Sequence, residues 1–231
     1  LQSLLNREGQ NPIRVSSMPP GEGKTFTATN MAALLSQAGK RTLLIDFDLH
    51  KPRVHKAVKL ERGIGLSGYL IGKCSWKETV QRTEIPDLDV ITSGPVPPNA
   101  SELALSDRVD ALIAEAREAY DFVVIDTPPI LLITDALVLM RHVDRALLVA
   151  NIKRANVRGM RQLEDLLEQN NIKHVSMVLN GILPTRWRYY ASKYAYRYLY
   201  SYGYGYGGYG SYTGYGGYGY GDRQYGDDAE D

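Results

Sequence analysis

A short apolar run ending in Val15 leads through Ser16-Ser17-Met18-Pro19-Pro20 into Gly21-Glu22-Gly23-Lys24-Thr25 and then directly into a helical pattern. A strand that turns on glycines into a helix leaves several backbone N–H groups facing one point, where the helix N-terminus adds partial positive charge. That arrangement suits phosphate. Gly21 and Gly23 let the backbone turn inward, Lys24 is long enough to reach the β/γ-phosphates, and Thr25 can hold Mg²⁺. The run Pro20, Gly21, Glu22, Gly23, Lys24, Thr25 and Phe26 is therefore expected to contact a nucleotide, with ATP and Mg²⁺ as ligands. Met18 stands where the motif usually has its first glycine, so the match rests on the Gly-Lys-Thr core and its setting. An ordinary glycine turn with an exposed lysine is the competing account, and that setting disfavours it.

The rest of the first 184 residues repeats strand and helix. Thr42 to Asp46, Leu88 to Thr92, Phe122 to Asp126, Ala146 to Asn151 and Val175 to Asn180 are brief and rich in Val, Ile and Leu, as buried parallel strands are. Ser101 reads as a helix N-cap with Glu102 in the first turn, followed by Leu105, Val109, Leu112, Ile113 and Ala116 at helical spacing. Asn156 reads as the cap of a second amphipathic helix through Val157, Met160, Leu163, Leu166 and Leu167, and Gly39 marks the stop of the helix after the glycine loop. Such alternation predicts an α/β fold, a doubly wound, mostly parallel sheet with helices on both faces, and the glycine loop makes it one of the P-loop NTPase kind. Ligands then sit at the carboxyl ends of its strands.

Three aspartates end strands. Asp46 and Asp48 lie two residues apart at the close of Leu43-Leu44-Ile45-Asp46-Phe47-Asp48, so in an extended chain they share a face. A carboxylate pair beside Mg-ATP can hold the metal and take the proton of an attacking hydroxyl. Asp126 ends Phe122-Val123-Val124-Ile125 and precedes Thr127-Pro128-Pro129, the arrangement in which a carboxylate meets Mg²⁺ directly or through water. For each, the competing account is a solvated carboxylate capping a turn.

Beyond about Thr185 the composition changes. Fifteen of the seventeen tyrosines lie from Tyr189 onward and eleven of the twenty-two glycines from Gly203 onward, leaving no helical stripe and little aliphatic mass. Residues 185–231 are therefore expected to form a flexible tail on a domain of residues 1–184. Twenty-seven basic against twenty-six acidic residues remove any global electrostatic case for nucleic acid or an anionic membrane. The single cysteine, Cys74, excludes an internal disulfide framework and fits a cytosolic setting. No apolar run approaches the roughly 20 residues of a membrane-spanning helix, and no signal-peptide pattern opens the chain, which reads as soluble. It begins with Leu1 rather than methionine, which points to a longer parent or to processing, so spans upstream stay open.

Together these motifs resemble the bacterial tyrosine kinases, the cytoplasmic ATPase domains of polysaccharide co-polymerases. Ser16 to Thr25 looks like Walker A, Leu43 to His55 like the extra acidic motif called Walker A′, and Val123 to Pro129 like Walker B. Gly65-Leu66-Ser67, Ser93 to Leu103, Asp135-Ala136 and Val178-Leu179-Asn180 are similar too. The resemblance implies an ATP-dependent autokinase of C-terminal tyrosines that regulates exopolysaccharide or capsule synthesis or export. Lys24 and Thr25 would serve nucleotide and Mg²⁺, Asp48 and Asp126 the metal, Asp46 the tyrosine hydroxyl as base, and Asn180 the adenine, although an asparagine ending a strand is also a common turn former. The phosphoacceptors would lie among Tyr198, Tyr200, Tyr202, Tyr204, Tyr206, Tyr209, Tyr212, Tyr215, Tyr218, Tyr220 and Tyr225. Implied partners are further copies of the chain, a transmembrane activator upstream or on another chain, and a cognate tyrosine phosphatase, with no nucleic acid. The implied place is the cytoplasmic face of the inner membrane.

Two departures stand out. His50 occupies the position of the family's usual arginine after the second aspartate, and an imidazole is not a permanent cation. The family's Glu- and Arg-bearing oligomerisation motif should precede the phosphate loop, and the chain begins too late to contain it. Two other functions compete. A ParA/MinD-type switch usually carries a signature lysine where this chain has Pro19, and it would give the tyrosine tail no role. A nucleotide-binding scaffold would use the tail only as an interaction module, since Gly-Tyr repeats also occur in sticky segments whose tyrosines stack.

Overall fold

The computed structural model describes residues 12–17, 19–130, 145–170, 172 and 174–182. Seven strands form one sheet: β1 (Pro12–Ser17), β2 (Thr42–Asp46), β3 (Val80–Arg82), β4 (Leu88–Ile91), β5 (Phe122–Asp126), β6 (Arg145–Asn151) and β7 (Val175–Asn180). Their spatial order is β3-β4-β2-β5-β1-β6-β7, parallel throughout except for β3, which runs antiparallel to β4 at one edge. The described helices are α1 (Lys24–Gln37), α2 (Val54–Ala57), α3 (Gly65–Leu70), α4 (Trp76–Thr79), α5 (Ala100–Ala104), α6 (Asp107–Ala119) and α7 (Val157–Gln169).

Strand alternation divides the core between the two faces. Leu44, Val90, Val124, Ile13 and Val15 meet Ala28, Met31, Ala32 and Leu35 of α1. Leu43, Ile45, Ile91, Val123 and Ile125 meet Leu103, Val109, Leu112, Ile113 and Ala116 of α5 and α6 on the other face. A smaller group of Ala146, Leu148, Leu163 and Ile130 seats α7. Buried on both faces, β2 and β5 show no polar alternation, which is why they read as continuous apolar runs.

All five anticipated strands are present, to within one residue at either end. The helix expected from Ser101 differs. Its pattern breaks into α5, entered from Asn99, and α6, entered from Ser106 in extended backbone. Asp107 and Asp110 give α6 an acidic first turn that favours a new start there, and Leu105 is left between the two helices, more than half exposed. The Asn156 cap is as expected, its side chain accepting the Gly159 N–H at 2.8 Å. Strand β3 was not anticipated: three residues, two of them Gln81 and Arg82, are too few and too polar to read as a strand, and suit an edge.

Candidate active site

Six parallel strands aim their carboxyl ends at one rim, and β1, β2 and β5 bring the predicted residues there. Asp46 and Asp126 are register partners on adjacent strands, so their side chains leave the sheet side by side. The Phe47 N–H continues this pairing by donating to the Asp126 carbonyl at 2.8 Å. Helix α1 begins at Lys24, within the phosphate loop. Its N-cap, Gly23, sits at φ 97°, a backbone region that favours glycine, and offers no side-chain cap to the first-turn N–H groups.

Lys24 Nζ lies 2.7 Å from Asp48 Oδ2 and 3.6 Å from Asp126 Oδ1. Asp48 Oδ1 accepts the Lys51 N–H at 3.0 Å, and Asp46 Oδ2 accepts the Val54 N–H at 3.1 Å. Asp46 and Asp126 are fully buried. Asp46 Oδ1 lacks a hydrogen-bond partner among the described residues, and the Asp126 oxygens have only weak contacts, with Lys24 Nζ at 3.6 Å and with the Thr25 hydroxyl.

Those surroundings set the charges. Burial, reinforced by the Asp126 carboxylate, pushes the Asp46 carboxyl up to about 7 against the pull of the Val54 N–H. Burial likewise raises Asp126 to about 6, opposed by the Lys24 ammonium and the Thr25 hydroxyl. Burial works the same way on Asp48, but Lys24 and the Lys51 N–H outweigh it and hold Asp48 below the usual carboxylate range. Lys24 is raised: burial disfavours its charge, yet Asp126 and Asp48 more than offset it.

The other predicted residues have distinct placements. The Glu22 side chain turns inward, only 1% exposed, and its Oε2 accepts the Asn151 N–H. Its backbone carbonyl accepts the Asn180 amide at 2.9 Å. Asn151 and Asn180 are register partners at the ends of β6 and β7, so both strand ends grip the loop. A Cβ on Gly23 would fall 2.2 Å from Asn180 Nδ2. Arg154 donates to the Pro20 carbonyl at 3.3 Å. Phe26, in the first turn of α1, is 67% exposed and stays outside the cluster. The tail tyrosines and Asp135-Ala136 lie outside the described residues.

Sequence reasoning missed Asn151 and Arg14. Asn151 ends a strand as Asn180 does, and that parallel was the available signal. Arg14, fully buried in β1, donates from Nε to Thr127 Oγ1 at 2.8 Å and so steadies the turn after Asp126; burial lowers its pKa to about 9. Ser16 adds a bond from Oγ to the Pro128 carbonyl at 2.8 Å.

An AAA domain family matches residues 11–181. The chain is similar to tyrosine-protein kinase YwqD of Bacillus subtilis, 39% identical over 184 residues and 78% of each chain. It belongs to the bacterial tyrosine kinases. This kinase domain is also 40% identical over 185 residues to tyrosine-protein kinase wzc of Salmonella typhimurium, matching 79% of the present chain but only 25% of that protein. The kinase domain of Escherichia coli tyrosine kinase ETK superposes with a TM-score of 0.75 at 34% identity, over 80% of the present chain and 72% of that one. The doubly wound P-loop fold anticipated from the strand–helix alternation is thereby shown, and the kinase family with it. The supporting stretches have a structural reason: the Leu66 and Ser67 N–H groups donate to the Thr92 and Ser93 carbonyls at 2.7 and 2.9 Å, docking α3 on the end of β4. A Cβ on Gly65 would meet Gly94 N at 2.2 Å.

Proposed function

We propose that this kinase domain transfers the γ-phosphoryl group of ATP to tyrosines in residues 185–231 of a neighbouring copy. The observation that carries the proposal is the convergence of Lys24, Asp46, Asp48 and Asp126 at the mouth of the phosphate loop. Three carboxylates face one ammonium there, and the two buried Asp126 oxygens have only weak contacts among the described residues, which leaves them able to receive a hard divalent cation. Thr25, Asp48 and Asp126 would hold Mg²⁺, which when bound neutralises charge on the phosphate oxygens. Pro20 to Phe26 would cradle the nucleotide, Lys24 exchanging Asp48 for the β/γ-phosphates, while Asn180 holds the loop from behind and borders the base.

Asp46 would take the proton of the incoming phenol as the new bond to phosphorus forms and the ADP oxygen leaves. Asp46 is buried at the end of β2 beside Asp126, with Oδ1 free of hydrogen bonds among the described residues and so open to an incoming proton. Polysaccharide synthesis or export as the controlled process, the inner-membrane face as the place of action, a transmembrane activator and a cognate phosphatase extend this reading from the family. About −1.5 to −2 charges per phosphotyrosine would accumulate on the tails and drive neighbouring copies apart.

The test mixes wild-type chain with a tagged Lys24→Ala chain in Mg-ATP. Phosphotyrosine on the Lys24→Ala chain supports transfer between copies; its absence there while the wild-type chain is labelled would reject the trans reading.

A further inference from the structure

Downstream of Asp48 the chain carries a basic surface that the chemistry above does not use. Residues 50–62 hold Lys51, Arg53, Lys56, Lys59 and Arg62 against the single acid Glu61. Lys51, Arg53, Lys56 and Lys59 are exposed, and none of them has an ion pair among the described residues. This stretch is not a loose loop. The Lys51 N–H is bonded to Asp48 and the Val54 N–H to Asp46, while Val54 is fully buried against the α1 face of the core. The backbone of this stretch is thus anchored, at Lys51 and Val54, to Asp48 and to Asp46, the proposed base.

Residues 222–231 have the opposite balance. Asp222, Asp227, Asp228, Glu230 and Asp231 stand against Arg223, and Tyr225 lies among them. We propose that the basic stretch from Lys51 to Arg62 docks residues 222–231 of a second copy, so that an acceptor tyrosine is chosen by the acidic sequence around it. This rests on the kinase reading above and adds a substrate-selecting surface to it. Exposed cations would act mainly on encounter and orientation, and they would do so in a salt-dependent way.

Two measurements test the proposal. In the first, a fluorescent peptide of residues 218–231 is titrated with the full chain, wild type or Lys56→Glu/Lys59→Glu, at low salt. The expected result is binding weakened about fivefold or more in the variant, lost at about 0.5 M salt, and recovered by a peptide carrying Asp227→Lys/Asp228→Lys. In the second, the KM for a Lys24→Ala acceptor chain rises about three- to tenfold with the variant enzyme and returns when the acceptor carries the two lysines, with ATP hydrolysis unchanged. Equal peptide affinities for both chains, or phosphotyrosine transfer with an unchanged acceptor KM, would overturn the docking surface. If no phosphotyrosine forms in any combination, the kinase reading fails and the peptide titration still decides the surface.

Discussion

The Lys24 ammonium and the Asp48 carboxylate are 2.7 Å apart, joining the first residue of α1 to the turn after β2. Both are largely buried, so the phosphate-loop lysine is neutralised by protein when no nucleotide is there. Removing it strips the cluster of its ammonium and leaves three carboxylates together. Lys24→Ala should abolish phosphotransfer. The far-UV circular dichroism spectrum should stay that of the wild type, since the side chain is not part of either core cluster.

Raised carboxyls make the ligand-free domain sensitive to pH. Asp46 near 7 and Asp126 near 6 bind protons in the folded state that the unfolded chain has released. Their stabilising contribution is complete below the unfolded value of about 4 and is lost as pH rises through about 6 to 7. Thermal melts of ligand-free protein should fall between pH 5 and 8. Asp46→Asn should flatten that slope and raise the pH 8 midpoint by about 5 °C, while phosphotransfer should collapse with loss of the proposed base.

The loop is held by the rim of β6 and β7. Asn180→Ala removes the bond to the Glu22 carbonyl and should raise the KM for ATP about three- to tenfold with a smaller change in kcat. Glu22→Gln keeps an acceptor for the Asn151 N–H and should stay close to wild type, whereas Glu22→Ala should resemble Asn180→Ala. Steady-state kinetics of the three variants check this together.

Gly23→Ala meets two obstacles, a positive φ and a Cβ 2.2 Å from Asn180 Nδ2. Isothermal titration with Mg-ADP should show no binding to this variant.

Much of the candidate site's placement was legible because strand ends announce themselves. Apolar runs stopping at Asp46 and Asp126 fixed the sheet rim, and Gly-Lys-Thr fixed the helix that meets it. The pairing of Asp46 with Asp126 was not legible, since it depends on β2 and β5 being neighbours although 75 residues and two other strands separate them in the chain. The inward turn of Glu22 was hidden for a similar reason. A glutamate in a glycine loop reads as solvated until Asn151, from a distant strand, supplies an N–H for it. The split of α5 from α6 turned on Ser106, one extended residue inside an otherwise regular apolar spacing.

The most direct test is intact-mass measurement after incubation with Mg-ATP, followed by peptide mapping. Mass should increase in steps of one phosphate, with every modified tyrosine lying beyond residue 184 and no increase in EDTA or in Lys24→Ala. ATP hydrolysis with no phosphotyrosine would contradict the account.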